Sequence, residues 1–254
     1  MVLIKPNPPA AHKESQLPLA SKGKDDQQID SKGNSGFTVP ALQFQVRDLK
    51  HAGAERFLGA VNVTECMTTA IHNLLKLLYN SPSDPSTNVP PTTSVTLILE
   101  DMPGVAYTIG HSDDHHVKEI HFSLKYIAGI ASTRIGEEIA GVVTHELVHC
   151  FQHNALGTAP GGLIEGIADW VRLNCSLAPP HWKKEAGGKW DAGYQHTAFF
   201  LDYLENRFGT GTVRRINEKL RTTEYDEDKF WKQILGRKVN ELYKDYTATF
   251  KKQD

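Results

Sequence analysis

The sequence predicts an α+β fold in two lobes, a small mixed sheet followed by an all-helical remainder. Three observations carry this. Short runs with apolar residues at alternate positions fall between residues 41 and 128. A helical apolar stripe precedes most of them, and from about residue 135 onward only helical periodicity is found.

Residues 1–36 are rich in Lys, Asp, Gln, Ser, Gly and Pro and hold little apolar content after Leu19. Such a segment buries too little surface to offset the entropy of ordering, so a disordered polar tail is expected there. The folded domain is then 37–254, with an N-lobe of about 37–157 and a C-lobe of about 158–254. It opens with FTVPALQFQV, in which Leu42, Phe44 and Val46 alternate with polar residues as in a half-buried strand. Residues 53–79 read as a single helix, because Ala60, Val63, Met67, Ile71, Leu74, Leu75 and Leu78 recur mostly three and four apart. SPSDPSTNVPP (81–91) is a loop by its prolines. TSVTLILED (93–101) is a strand with Val95, Leu97 and Leu99 on one face, and VAYTIG is a second short strand after a turn at Met102, Pro103 and Gly104. KEIHFSLKYIA (118–128) alternates Ile120, Phe122 and Leu124, which predicts a third strand. Residues 135–154 then form a helix expected to end at Gly157, where a left-handed cap costs little.

Bulk properties exclude several function classes. A net charge of −2 gives no footprint for nucleic acid or an anionic membrane, and the short lysine pairs read as solvated helix faces. No stretch approaches the roughly 20 apolar residues of a membrane span. The start, MVLIKPNPPAAHKE, has only four apolar residues before a lysine and is not a secretory core, so the chain as written reads as cytoplasmic. Cys66, Cys150 and Cys175 form no CxxC, and Cys66 and Cys150 sit in helical patterns as small hydrophobes, which favours a reduced compartment. A monomer is expected.

THELVHCFQH (144–153) places two histidines four apart with a glutamate beside the first. On a helix, His145 and His149 stack on one face about 5–6 Å apart, so two imidazoles can reach one ion. Glu146 lies about 100° around the helix, beside that ion, where a carboxylate can take a proton from metal-bound water. The other face carries Ile139, Val143, Leu147, Cys150 and Phe151, which anchor the helix in the core. Unpaired polar groups in so apolar a helix would cost stability, and a bound metal removes the conflict.

A catalytic zinc takes three protein ligands and water. After TAPGG comes LIEGIADWVRLN, with Glu165 and Asp169 four apart on one face. If that helix packs back on the first, Glu165 is the third ligand, and Asp169 accepts the second ring N–H of His145 or His149. Otherwise the two are an ordinary exposed pair, whose like charges repel. His153 lies about 12 Å from His145 along the axis, too far to share the ion. A third histidine at metzincin spacing would fall on Ala155, with Gln152 where glycine is needed, which rules that pattern out. His111, His115 and His116 with Asp113 and Asp114 read as a polar loop. KWDAGYQHTAFFLDYLENRFG (189–209) reads as a helix with Tyr194 and His196 near its start, and either could donate to a tetrahedral oxyanion. A Tyr in so aromatic a helix is as readily a core or interface residue.

The run HELVHCFQHNALGTAPGGLIEGIADWVRL, followed by W-x-x-GY-x-x-TA-FFL-x-YLE, resembles the plant basic secretory protein family and its fungal and bacterial relatives over roughly residues 40–250. The resemblance implies a zincin-like metallopeptidase of the glutamate-ligand type. It implies His145, His149 and Glu165 as ligands of one Zn2+, Glu146 as general base, Asp169 behind the ligands and Tyr194 as oxyanion donor. It also implies secretion, which this chain's start does not support, whereas its slight acidity departs from the "basic" of the name. The expected function is a zinc-dependent peptidase acting on peptide or protein substrates, laid along an edge strand for which KEIHFSLKYIA is the candidate. The rival readings are a zinc hydrolase of a non-peptide amide or ester, and a non-catalytic defence or binding protein that keeps the zinc helix.

Overall fold

A computed structural model describes residues 36–250, apart from Ser112 and Ala186. The expected polar tail lies outside the described residues except for Gly36. Among those residues the fold is a mixed α+β arrangement of one four-stranded sheet and nine helices.

The sheet comprises β1 (Ala41–Val46), β2 (Ser94–Glu100), β3 (Ala106–Gly110) and β4 (Val117–Ser123), in spatial order β1-β2-β4-β3. β1 and β4 flank β2 in parallel, with Leu42 opposite Val95 and Leu97 opposite Ile120. β3 closes the sheet antiparallel to β4, with Thr108 opposite Ile120. A central parallel strand is covered on both faces. Accordingly β2 buries Thr96 and Ile98 as well as the expected Val95, Leu97 and Leu99.

Two expectations about the sheet are corrected. The third strand stops at Ser123, because the Ser123 hydroxyl accepts from the Tyr126 N–H and caps a short helix, α3 (Leu124–Gly129). That strand, β4, is also internal, since β3 takes the position beyond it. The edge strands are therefore β1 and β3, and not KEIHFSLKYIA.

The helix expected over 53–79 is two, α1 (Ala52–Ala60) and α2 (Val63–Tyr79). The break falls at Asn62, whose side chain accepts from the Glu65 N–H in a local cap that competes with continued helix. α2 lays Met67, Ile71, Leu74, Leu75 and Leu78 into the core.

α4 (Ile135–Phe151) runs through the middle of the molecule and touches α1, α2, β3, β4 and α5 (Gly161–Asn174). It is buried along nearly its whole length, including Ile139, Val143, Leu147, Cys150 and Phe151. It ends at Phe151 and not near Gly157. Gln152 turns extended (ψ 154°) while its N–H still reaches the Val148 carbonyl. The next residues are held from outside, His153 N–H by the Asn217 side chain and Ala155 N–H by the Leu220 carbonyl. The tight connection to α5 places Ala155, Leu156 and Gly157 successively at φ 54°, 58° and 85°. Two of these three are not glycine, so tertiary hydrogen bonds hold the turn in place of backbone freedom.

The chain continues through α6 (Tyr194–Phe208), α7 (Thr212–Lys219), α8 (Glu227–Leu235) and α9 (Val239–Ala248). One apolar core runs from Phe37 to Tyr246, and the three cysteine thiols are free. No helix among the described residues is long and apolar enough to cross a membrane.

Candidate metal centre

α4 and α5 pack side by side, and their facing polar residues meet at one point. His145 Nε2 lies 3.1 Å from His149 Nε2 and 3.0 Å from Glu165 Oε2, and His149 Nε2 lies 3.7 Å from the same carboxylate oxygen. These three side chains form a cluster that could hold a metal ion, and no other such group is found among the described residues. Sequence reasoning made Glu165 depend on α5 folding back on α4, and it does so.

Behind the triangle, His145 Nδ1 lies 2.7 Å from Asp169 Oδ1. Asp169 is 2% exposed, so this carboxylate is committed to the imidazole. Of the two partners the sequence allowed, it serves His145. Burial opposes a charge on His145, but Asp169 and Glu165 outweigh it and push the group from 6.5 up to about 9. Burial also opposes ionisation of Glu165, and its hydrogen bonds to the two histidines outweigh that, holding it well below the usual carboxylate range. A raised folded-state pKa contributes stability that is complete below 6.5 and lost as pH rises through about 9. Metal-free protein should therefore unfold at lower urea as pH climbs across that window, whereas metal-loaded protein should not.

Glu146 is buried beside the cluster at the wall of the same cleft. The Thr108 hydroxyl, from edge strand β3, lies 2.7 Å from Glu146 Oε2 and 3.1 Å from the Glu146 carbonyl. Sequence reasoning missed Thr108, because nothing in a five-residue strand marks which side chain will face a helix.

Tyr194 enters from α6. Its ring lies 6.1 Å from that of His145 and nearly parallel to it, at 14°, and the residue is 60% exposed in the cleft. The negative charge of Glu165, then partial burial, raises its phenol above the ordinary value, so it remains a proton donor. Gly193 and Tyr194 take φ values of 89° and 45°, a sharp turn at the helix start. Thr197 holds the turn: its Oγ1 accepts from Gly193 N–H and donates to the Trp190 carbonyl. His196, the other oxyanion candidate, is directed elsewhere, with Nε2 at 2.7 Å from the Gly187 carbonyl and 2.8 Å from Tyr243 Oη. His153 also stays apart, with Nε2 at 2.9 Å from the Asn88 carbonyl.

The close approach of this turn to α5 depends on Gly162, where a Cβ would lie 1.8 Å from the Asp191 carbonyl oxygen. Alanine is the better helix former, yet a backbone oxygen cannot swing aside as a side-chain tip can. Gly162→Ala should destabilise the protein by roughly 1–3 kcal/mol, measurable by urea unfolding.

The cleft has a volume of about 860 Å³. His145, His149, Glu165, Glu146, Tyr194 and residues 104–108, which lead into β3 and form its first half, line one part. Elsewhere it holds a buried ion pair, Arg172 Nη2 to Glu138 Oε2 at 3.0 Å, with Tyr126 donating to the other Glu138 oxygen at 2.8 Å. Arg172 also donates from Nε to the Leu177 carbonyl and lies 5.3 Å from the Trp182 ring.

The family model described as "BSP: Peptidase of plants and bacteria" matches residues 39–246, most of the chain and the whole of this site. The chain belongs to the basic secretory protein family. No curated protein and no solved structure matches it significantly. The family of this basic secretory protein is described as one of peptidases. The resemblance drawn from HELVHCFQHNALG and the motifs after it is thereby borne out.

Proposed function

We infer that this chain is a zinc-dependent, zincin-like peptidase of the HExxH type, with His145, His149 and Glu165 as the ligands. The donor set supports this: two imidazoles and a carboxylate suit zinc, and three ligands leave an open position. Bond lengths of about 2.0–2.2 Å in a tetrahedron put ligand atoms roughly 3.3–3.6 Å apart. The triangle of 3.0, 3.1 and 3.7 Å is the observation that carries the reading.

When bound, zinc supplies Lewis acidity and lowers the pKa of water beside it. The chain's own residues do the rest. Glu146 takes the proton of the attacking water and passes it to the departing amine nitrogen. Tyr194 donates its O–H to the carbonyl oxygen as negative charge gathers there. Asp169 holds Nδ1–H of His145, which leaves Nε2 bare as a ligand. Substrate lies along β3, an edge strand that borders the cleft, and pairs with it through backbone groups. On this reading the ligands divide between the lobes, His145 and His149 from the first (37–157) and Glu165 from the second (158–254).

The test is metal content by elemental analysis, with casein hydrolysis before and after chelation. One equivalent of zinc and chelator-sensitive cleavage, restored by zinc, is the expected result. A chain that cleaves casein equally well after complete metal removal would end the reading. A chain that binds zinc and cleaves an ester or a non-peptide amide but no peptide would favour the other hydrolase class.

A further inference from the structure

A second cavity, of about 480 Å³, shares no lining residue with the cleft. Leu78 and Tyr79 of α2, 1% and 2% exposed, line it together with Ile234 of α8, so it reaches the apolar core. Its polar lining is uneven in charge. Four cations, Arg214, Arg215, Lys219 and Arg221, stand against two carboxylates, Asp84 and Glu218, on a chain whose net charge is −2.

Both carboxylates are already engaged. Glu218 Oε1 accepts from Arg221 Nε at 2.5 Å, and Asp84 Oδ1 accepts from the N–H and the hydroxyl of Ser86 at 2.9 and 2.7 Å. Arg214, Arg215 and Lys219 form no ion pair among the described residues. Arg215 donates to the Thr212 hydroxyl at 2.9 Å. Arg214 donates from Nη2 to the Lys76 carbonyl at 3.2 Å, while its Nε is buried without a hydrogen-bond partner. A guanidinium has five donors, and one that is half-buried with a single neutral acceptor lacks a counter-ion. Arg215 and Lys219 are four apart in α7, so they share a face.

The cavity is built in advance. The Thr87 hydroxyl lies 2.6 and 2.8 Å from the carbonyls of Tyr79 and Ser81, which folds the lining loop against the end of α2. Arg214 ties α7 to the same helix.

We propose that this cavity binds a small molecule carrying a phosphate or carboxylate on an apolar body. Arg214, Arg215 and Lys219 take the anion, and Leu78, Tyr79 and Ile234 take the body. Pockets of this size suit a small ligand, and arginine pairs readily with either anion. The site stands independently of the zinc reading.

Isothermal titration calorimetry of the full chain at low salt tests this, with phenyl phosphate, phenylacetate and inorganic phosphate as probes. At least one aromatic anion should bind saturably, and phenyl phosphate should bind roughly 10-fold more tightly than inorganic phosphate. The ranking of phenyl phosphate against phenylacetate identifies the preferred anion. Lys219→Gln and Arg214→Gln should each weaken the better probe by roughly 10-fold, with casein cleavage unchanged. No saturable heat from either aromatic anion would overturn the proposal. Wild-type affinity in both variants would also overturn it, because the anion would then sit elsewhere. Should Arg214→Gln not fold, Lys219→Gln decides, since no printed bond of the fold depends on that ammonium.

Discussion

On the zinc reading, Glu146→Gln should leave the protein folded and able to hold one zinc, and cut peptide hydrolysis by roughly 10²- to 10⁴-fold. The substitution keeps size and shape in a site that is 6% exposed. It also keeps a carbonyl oxygen to accept from Thr108, so the tie between β3 and α4 survives. What goes is the ability to receive a proton. Glu146 is outside the ligand triangle, so zinc content should stay at one equivalent. The paired measurement is kcat on a casein-derived peptide together with zinc by elemental analysis. Full turnover in the variant would remove Glu146 from the mechanism, and a loss of zinc would move it among the ligands.

The second large effect is on stability. Arg172 and Glu138 form an ion pair whose side chains are only 8% and 12% exposed. Arg172→Met removes one partner and leaves a carboxylate in the cleft wall with Tyr126 as its remaining donor. Breaking such a pair from one side costs about 3–5 kcal/mol, most of it the unpaired charge left behind. For a domain of this size that corresponds to a fall in Tm of roughly 6–20 °C. Replacing both residues with apolar groups should recover much of the loss, because no orphan charge then remains. Urea unfolding of Arg172→Met, Glu138→Leu and the double variant gives the cycle. A single variant within 1 kcal/mol of wild type would show that solvent, not Arg172, satisfies Glu138.

Much of the candidate site was legible because helical spacing is a local property. His145 with His149, and Glu165 with Asp169, share faces whatever surrounds them, so two four-residue intervals placed four side chains. The α+β order was legible for the same reason, since periods of two and of three to four are read residue by residue. Sheet order was not. Which strand is the edge depends on whether β3 pairs beyond β4, and an alternation pattern carries no word of its neighbours. The ends of α4 were also hidden: Gly157 looks like a helix stop, yet hydrogen bonds from Asn217 and Leu220, more than sixty residues on, draw the chain away at Gln152.

Helix α5 supplies Glu165, Asp169 and Arg172 from successive turns of one rod. The proposed grip on an ion and the charged wall of the cleft are thus borne by a single stiff part. A mutation that rotates or slides this rod to admit a different side chain must disturb the centre as well. Selection for new cleavage preferences would on this account act on Tyr126, Pro179 or Trp182, which border the cleft from other segments and leave the rod where it is.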